Sequence, residues 1–447
     1  MDSSLSAYIE KVTANNAIES DLYPKYNVKR GLRNADGTGV LVGLTRVGDV
    51  HGYIIDEGER VAVAGKLYYR GIDVEDLVRS AAAEKRYGFE ECIYLLMFGV
   101  LPTSDELASF STLLGATRKL PDNFAEDTIM KVPSPDIMNK LARSVLTCYA
   151  YDKNPEDLSP VNVLRQCLEL IARFPTMAAY AYMAKKHYYD HQSLFIHTPE
   201  PNSSTAETIL SLIRPDQKFT RLEAEILDLA LVIHAEHGGG NNSTFAVHLV
   251  SSADTDTYSA IAAGVGSLKG FKHGGANLKV MGMMDDIKKG VRKWSDAGEV
   301  ADYLIKILKG EAYDHSGLIY GQGHAVYTVS DPRANLLRDK AEDLAREKGM
   351  SEEFELYRTI EKLVPEVFKK TKGSDKAICT NVDFYSGFVY HTLGIPGELY
   401  TPIFAVSRVA GWCAHRMEEV VSGGRIIRPA YKCVQARLPY TPMKDRA

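Results

Sequence analysis

The sequence lacks cysteine pairs, long apolar runs and basic tracts, and each absence removes a class of protein. Its six cysteines, Cys92, Cys148, Cys167, Cys379, Cys413 and Cys433, are scattered with no CxxC spacing. That pattern predicts free thiols in a reducing compartment and speaks against a zinc knuckle or a disulfide framework. No uninterrupted apolar segment reaches the roughly 20 residues of a membrane span. The opening stretch, MDSSLSAYIEKVTANNAIESDLY, mixes acids with few bases and has no apolar core segment. Neither a secretory signal nor an Arg-rich transit peptide is therefore expected, and the cytoplasm is the expected location. With no basic tract, no zinc-finger spacing and a net charge of -5, nucleic acid is not an expected partner, nor is a membrane. No internal repeat or low-complexity tract is visible. What is present, 45% apolar and 25% charged residues over 447 positions, describes a globular chain with material for a large core.

Alternating β-type patterns are scarce as well. GYIIDEGERVAVAGKLYYRG has two short runs either side of Asp56, Glu57, Gly58 and Glu59, which predicts a small N-terminal β-hairpin at about 52–63. From Ile72 onward the apolar spacing is helical almost without pause. Thr103 with Glu106 and Thr220 with Glu223 form capping boxes that open two of these helices. TYSAIAAGVGSLKG carries Gly264 and Gly266 inside a helix, where each costs about 0.5 to 1 kcal/mol relative to alanine, so close approach of another helix is expected at both. Past Asn277 the segments become more charged and amphipathic. The expected class is mainly α, with a large helical domain over 1–278, a smaller inserted helical domain over 279–382 and a return to the large domain over 383–447.

Four polar sites sit at element ends or beside glycine. His234 and His237 end the helix that Thr220 caps. His273 lies in LKGFKHGGAN, and Asp383 lies in NVDFYSG, with Arg408 and Arg428 further on in FAVSRVAGW and GGRIIRP. The fourth site is GQGHAVYTVSDPR, where Gly321 and Gly323 flank the approach to His324 and permit positive φ or close contact with a ligand. Asp331 reads as an N-cap with Pro332 at the first helical position, leading to a stop at Gly349. Arg333 thus falls in a first helical turn, where a cation opposes the macrodipole by a few tenths up to about 1 kcal/mol, so an anion is expected to meet it. His234 and His237 have the i, i+3 spacing of a metal pair, but no third ligand and no HExxH pattern accompany them, and no metal is expected. Cys413 and His415, two apart on a helix, do not face one another as a nucleophile pair would.

One reaction uses these groups together. Removing a proton beside a thioester carbonyl needs a base, which Asp383 supplies, and a donor at the oxygen that becomes enolate, which His273 supplies. A second donor, His324, polarises the carbonyl of the electrophile, and arginines hold it if it is a dicarboxylate.

The blocks HAEHGGGNNSTF, GFKHGGAN, GQGHAVYTVSDPR and NVDFYSG, with the SR and RP arginines, resemble those of the citrate synthase family in order, from about Gly65 to Pro429. The resemblance implies a two-domain helical homodimer that condenses acetyl-CoA with oxaloacetate and hydrolyses citryl-CoA, as an acyltransferase of the tricarboxylic acid cycle. It implies Asp383 as base, His273 as donor to the acetyl oxygen and His324 as donor to the oxaloacetate carbonyl. His237, Arg333, Arg408 and Arg428 match the dicarboxylate-binding positions, the last contributed across the dimer interface in family members. No cofactor is implied as a permanent resident, with acetyl-CoA and CoA as co-substrate and product. Lys272 and Asn381 are expected to border the CoA path, and the backbone of Gly321, Gly323 and Ala325 to contact adenine. Gln322 and Thr328 depart from the family pattern near the nucleotide end of CoA. A 2-methylcitrate synthase using propionyl-CoA would carry the same catalytic groups, and a non-catalytic CoA-binding helical protein is the alternative from another class.

Overall fold

Side chains able to cap an N-terminus stand where most of the helices begin. Asp73, Thr103, Asp136, Ser159, Ser204, Thr220, Asn241, Asp256, Asp296, Asp331 and Asn381 each accept a bond from a backbone N–H of the first turn. Each bond satisfies a donor the helix cannot satisfy itself. In the computed structural model the chain is 58% helical with one small sheet, so the mainly α expectation holds. The structure describes residues 3–34, 36–57, 59–324, 326–373 and 378–446.

In chain order the early helices are α1 (Ser3–Asn16), α2 (Leu22–Lys25), α3 (Val74–Ala83), α4 (Phe89–Phe98), α5 (Ser104–Thr117), α6 (Ile137–Tyr151), α7 (Pro160–Tyr188) and α8 (Thr205–Ile213). They are followed by α9 (Arg221–His234), α10 (Asn242–Ser251), α11 (Thr257–Lys269), α12 (Ala276–Gly290), α13 (Ala297–Leu308), α14 (Pro332–Glu347), α15 (Ser351–Lys372), α16 (Val382–Thr392) and α17 (Tyr400–Ser422). Both expected capping boxes are formed, at Thr103 and Thr220. Asp331 caps α14 with Pro332 in its first turn, and Gly349 just beyond the helix takes φ +69.

The expected hairpin is longer than 52–63. Strand β1 (Gly48–Asp56) pairs antiparallel with β2 (Glu59–Tyr69), from Gly48↔Tyr69 to Asp56↔Glu59, with a register shift between His51 and Tyr53. A short β3 (Ile72–Asp73) adds to the other edge of β2. Gly58, assigned to the turn, lies outside the described residues. Two glycines fit the hairpin against the segment around Tyr327. A Cβ at Gly52 would lie 2.7 Å from Val326 O, and one at Gly65 would collide with Ser330 O and the Tyr327 ring.

Residues 45–426 form one compact unit, and residues 1–44 with 427–447 form another. In the larger unit α7, α9, α16 and α17 are buried over most of their length, with Phe174, Leu231, Phe384, Val409 and Trp412 fully enclosed. The helix with interior glycines divides the expectation made for it. At Gly264 a Cβ would lie 2.8 Å from Val247 and 3.1 Å from Trp412, so glycine admits both neighbours. Gly266 has nothing within 4 Å and is exposed, because its side of the helix faces away from the packed neighbours. All six cysteines are unpaired, with only Cys433 exposed. Among the described residues no helix is long and apolar enough to cross a membrane. In the smaller unit, Lys432 lies 5.7 Å over the ring of Tyr26.

Candidate active site

Helix α9 stops at His234, and Gly238, at φ +81, turns the chain so that His237 stands just beyond the helix end. Arg408, buried on α17, donates Nε–H to His234 O at 2.7 Å and fastens that end in place. The His237 ring meets His324 edge-on at 5.3 Å and Tyr327 at 5.6 Å between centroids. Its Nε2 is buried with no hydrogen-bond partner among the described residues. Burial, then the charges of Arg333 and Arg408, hold its pKa well below the ordinary value, so His237 is neutral. Those same perturbing groups are the ones the sequence nominated.

Gly321 and Gly323 take φ +80 and +85, as expected, and a Cβ at Gly321 would lie 2.8 Å from Phe384. The segment pairs with residues 379–381: Gly323 donates to Cys379 O at 2.7 Å and Asn381 donates to Gly321 O at 2.9 Å. This pairing presents His324, whose Nδ1 accepts from the N–H groups of Val326 and Tyr327, both at 3.1 Å. An Nδ1 that accepts carries no proton, so His324 is neutral with its proton on Nε2. The ring stacks on Tyr327 at 4.7 Å.

Asp331 has more than a capping role. It holds Arg333 in a two-point pair, Nε to Oδ1 at 3.0 Å and Nη2 to Oδ2 at 2.7 Å, and also accepts from Val382 N at 3.2 Å. The anion expected at Arg333 is therefore in part its own cap. Burial alone would lower the pKa of Arg333, but Asp331 outweighs it and raises it, so the guanidinium is a permanent charge. Asp331 also ties the start of α14 to that of α16, where Asp383 stands in the first turn. Burial pushes the Asp383 carboxyl up to about 6, opposed by Arg333 and assisted by Asp331.

His273 lies in the turns between α11 and α12. Its Nε2 accepts from Ser243 N–H at 3.3 Å and lies 2.9 Å from Ser243 Oγ. Trp412 in turn donates to that hydroxyl at 3.2 Å. Burial first and Arg408 second lower His273 to about 4, so the ring is neutral with Nδ1–H as its donor.

The structure thus gathers His237, His324, Arg333 and Arg408, with Asp383 beside Arg333, while His273 is held separately against Ser243. Asn381 is engaged locally, capping α16 through Oδ1 and donating Nδ2–H to Gly323 O at 2.8 Å. Lys272 is exposed beside His273. Ala325 lies outside the described residues. Arg428 is exposed in the smaller unit, beyond α17. Ser243, Tyr327 and Asp331 were not nominated as site residues. Asp331 was legible only as a cap, and nothing in the spacing of Ser243 or Tyr327 marks a partner for a distant ring. A cavity of about 120 Å³ lined by Lys85, Arg86, Asp228 and Lys340 shares no residue with the cluster.

Residues 36–430 match the family model described as citrate synthase, C-terminal domain. The chain belongs to the citrate synthase family. A citrate synthase of Haloferax volcanii is 35% identical over 425 residues, covering 94% of this chain and 99% of that protein. A 2-methylcitrate synthase of Shewanella oneidensis is 32% identical over 371 residues, 83% of this chain and 89% of that protein. Among solved structures, the citrate synthase of Pyrobaculum aerophilum superposes with a TM-score of 0.75 at 29% identity, covering 91% of this chain and 94% of that one. The Thermoplasma acidophilum citrate synthase, in a ternary complex with carboxymethyl coenzyme A and oxaloacetate, gives 0.74 at 26% identity, covering 94% and 99%. The citrate synthase family is enzymatic, its members being acyltransferases.

Proposed function

We propose that this chain is a citrate synthase in which Asp383, His273 and His324 perform the condensation. The observation that carries the reading is the pairing of two neutral imidazoles, each with its proton directed by a backbone bond, with one carboxyl raised to about 6. Near neutral pH Asp383 is mostly ionised and basic enough to take a methyl proton from acetyl-CoA. His273 Nδ1–H donates to the thioester oxygen as it becomes enolate, and a neutral donor matches that oxygen without trapping it. The enol carbon then attacks the keto carbon of oxaloacetate, whose oxygen accepts from His324 Nε2–H. Arg333 and Arg408 hold the two carboxylates by their planar forks, and the unpartnered His237 Nε2 adds a bond. Hydrolysis of citryl-CoA releases citrate and CoA.

Residues 279–382 act in this reading as the smaller domain that closes over oxaloacetate, since they carry His324 and Arg333 while His273 and Arg408 lie outside them. The working form is a cytoplasmic homodimer in which Arg428 reaches the oxaloacetate of a second copy. Lys272 and the 321–323 backbone line the CoA path, with acetyl-CoA as a co-substrate and no resident cofactor. The same groups serve propionyl-CoA, and one extra methylene changes discrimination by only about 1 to 3 kcal/mol. The 2-methylcitrate synthase relative keeps that second reading in view. CoA release should be measured with oxaloacetate and either acetyl-CoA or propionyl-CoA. A higher kcat/KM with acetyl-CoA supports the proposal, a higher value with propionyl-CoA replaces it with the second reading, and no release with either removes both.

A further inference from the structure

Behind the cluster lies a group of titratable side chains with no part in the condensation. His248 on α10 and His415 on α17 stand with Nε2 and Nδ1 only 3.0 Å apart, and Glu418 Oε2 lies 3.7 Å from the same His415 Nδ1. All three donor atoms fall within 4.8 Å of one another. A four-coordinate zinc ion with bonds of about 2.0 to 2.2 Å sets its ligand atoms roughly 3.3 to 3.6 Å apart, so shifts of about an ångström or less would seat one.

We propose that His248, His415 and Glu418 form a binding site for a divalent transition-metal ion, with zinc the ion whose preferences fit best. Each ring has its remaining nitrogen against a carboxylate: His415 Nε2 is 3.1 Å from the fully buried Glu236 Oε1, and His248 Nδ1 is 3.1 Å from Glu419 Oε2. A carboxylate behind each ligating imidazole is the arrangement that fixes its tautomer and raises its basicity toward a metal. Glu418 Oε2 is a buried oxygen that receives no hydrogen bond among the described residues, so it has an unused acceptor pointing at the pair. Gly239 leaves room beside the rings, since a Cβ there would lie 3.6 Å from His248 Nε2. Thr45 Oγ1 lies 3.5 Å from His415 Nδ1. A cavity of about 100 Å³ has Glu419, the carboxylate behind His248, in its wall with Ser251 and Arg416.

Two imidazoles with one carboxylate favour zinc, cobalt or nickel over magnesium or calcium, which prefer oxygen. The ion would displace the proton the two rings share, releasing it to solvent. It would also link α10 to α17, the helix that bears Arg408, without touching substrate. Sequence spacing gives no hint of it, because the two histidines are 167 residues apart.

The test uses the full chain stripped with chelator and titrated calorimetrically with zinc, with cobalt as an optical probe. Expected are one ion per chain, micromolar or tighter, visible bands of four-coordinate cobalt and a raised Tm. His248→Ala and Glu418→Gln should each weaken binding by at least about 10-fold. If circular dichroism shows one variant unfolded, the other decides. Substoichiometric zinc, a six-coordinate cobalt spectrum, or undiminished binding in the folded variants would each overturn the site.

Discussion

Replacing Asp383 by asparagine should make the protein inactive and more stable at once, because the same desolvation that makes this carboxylate a base opposes its charge in the fold. Its pKa rises from the ordinary 3.8 to about 6, with burial the leading cause. A rise of that size corresponds to roughly 3 kcal/mol of penalty on the ionised form. Solvent still reaches part of the residue, so the realised cost is about 1 to 3 kcal/mol. The sign follows from linkage: between pH 3.8 and about 6 the folded state holds the proton more tightly than the unfolded chain, so stability falls as pH rises through that window. Above it the penalty is fully present, and below it the penalty vanishes. Asp383→Asn keeps the shape without the charge, and Arg333 keeps its partner in Asp331. For a chain of 447 residues, 1 kcal/mol moves Tm by on the order of 1 °C. Calorimetry at pH 7.5 should therefore place the variant about 1 to 3 °C above the parent, with the gap closing toward pH 4. Turnover should drop by at least about 10²-fold. A variant equal to or less stable than the parent at pH 7.5 would show that burial does not tune this group.

Other substitutions separate the remaining roles. Arg333→Ala should abolish the thermal shift produced by oxaloacetate and destabilise the apo protein by about 3 to 5 kcal/mol, since it strands the buried Asp331; an unchanged apo Tm would contradict that pairing. His273→Ala should lower kcat by about 10² to 10³-fold, whereas Ser243→Ala, which leaves the backbone N–H that sets the tautomer, should lower it less than about 10-fold. Equal losses in steady-state kinetics would move the tautomer control to the hydroxyl. Gly264→Ala should destabilise by about 1 to 3 kcal/mol through contact with Val247 and Trp412, while Gly266→Ala, with open space, should stabilise by about 0.5 to 1 kcal/mol. Denaturation midpoints that fall in both would mean the exposed face of this helix is covered in solution.

Much of the fold was legible along the chain because its signals are local. Capping at Thr103, Thr220 and Asp331 and the positive φ of Gly321 and Gly323 depend on residues a few positions apart, and the structure realises each. The hairpin extends past the predicted span through Gly48↔Tyr69 to His51↔Lys66, where Leu67 and Tyr69 are buried in the core of the larger unit and so depend on residues distant in sequence. Gly266 misled because a glycine in a helix reads the same whether or not a neighbour approaches it.

By itself the sequence determined the residue types proposed for the chemistry, the ordered family blocks that contain them, and many of the helix starts that flank them. Only the tertiary structure decided their state. Whether a ring is neutral, which nitrogen holds the proton and how basic a carboxylate becomes depend on burial and on partners distant in sequence. Ser243 at His273, Asp331 at Arg333 and the backbone N–H groups at His324 are such partners. Desolvation and hydrogen bonding act through space, and no spacing of letters along the chain encodes them.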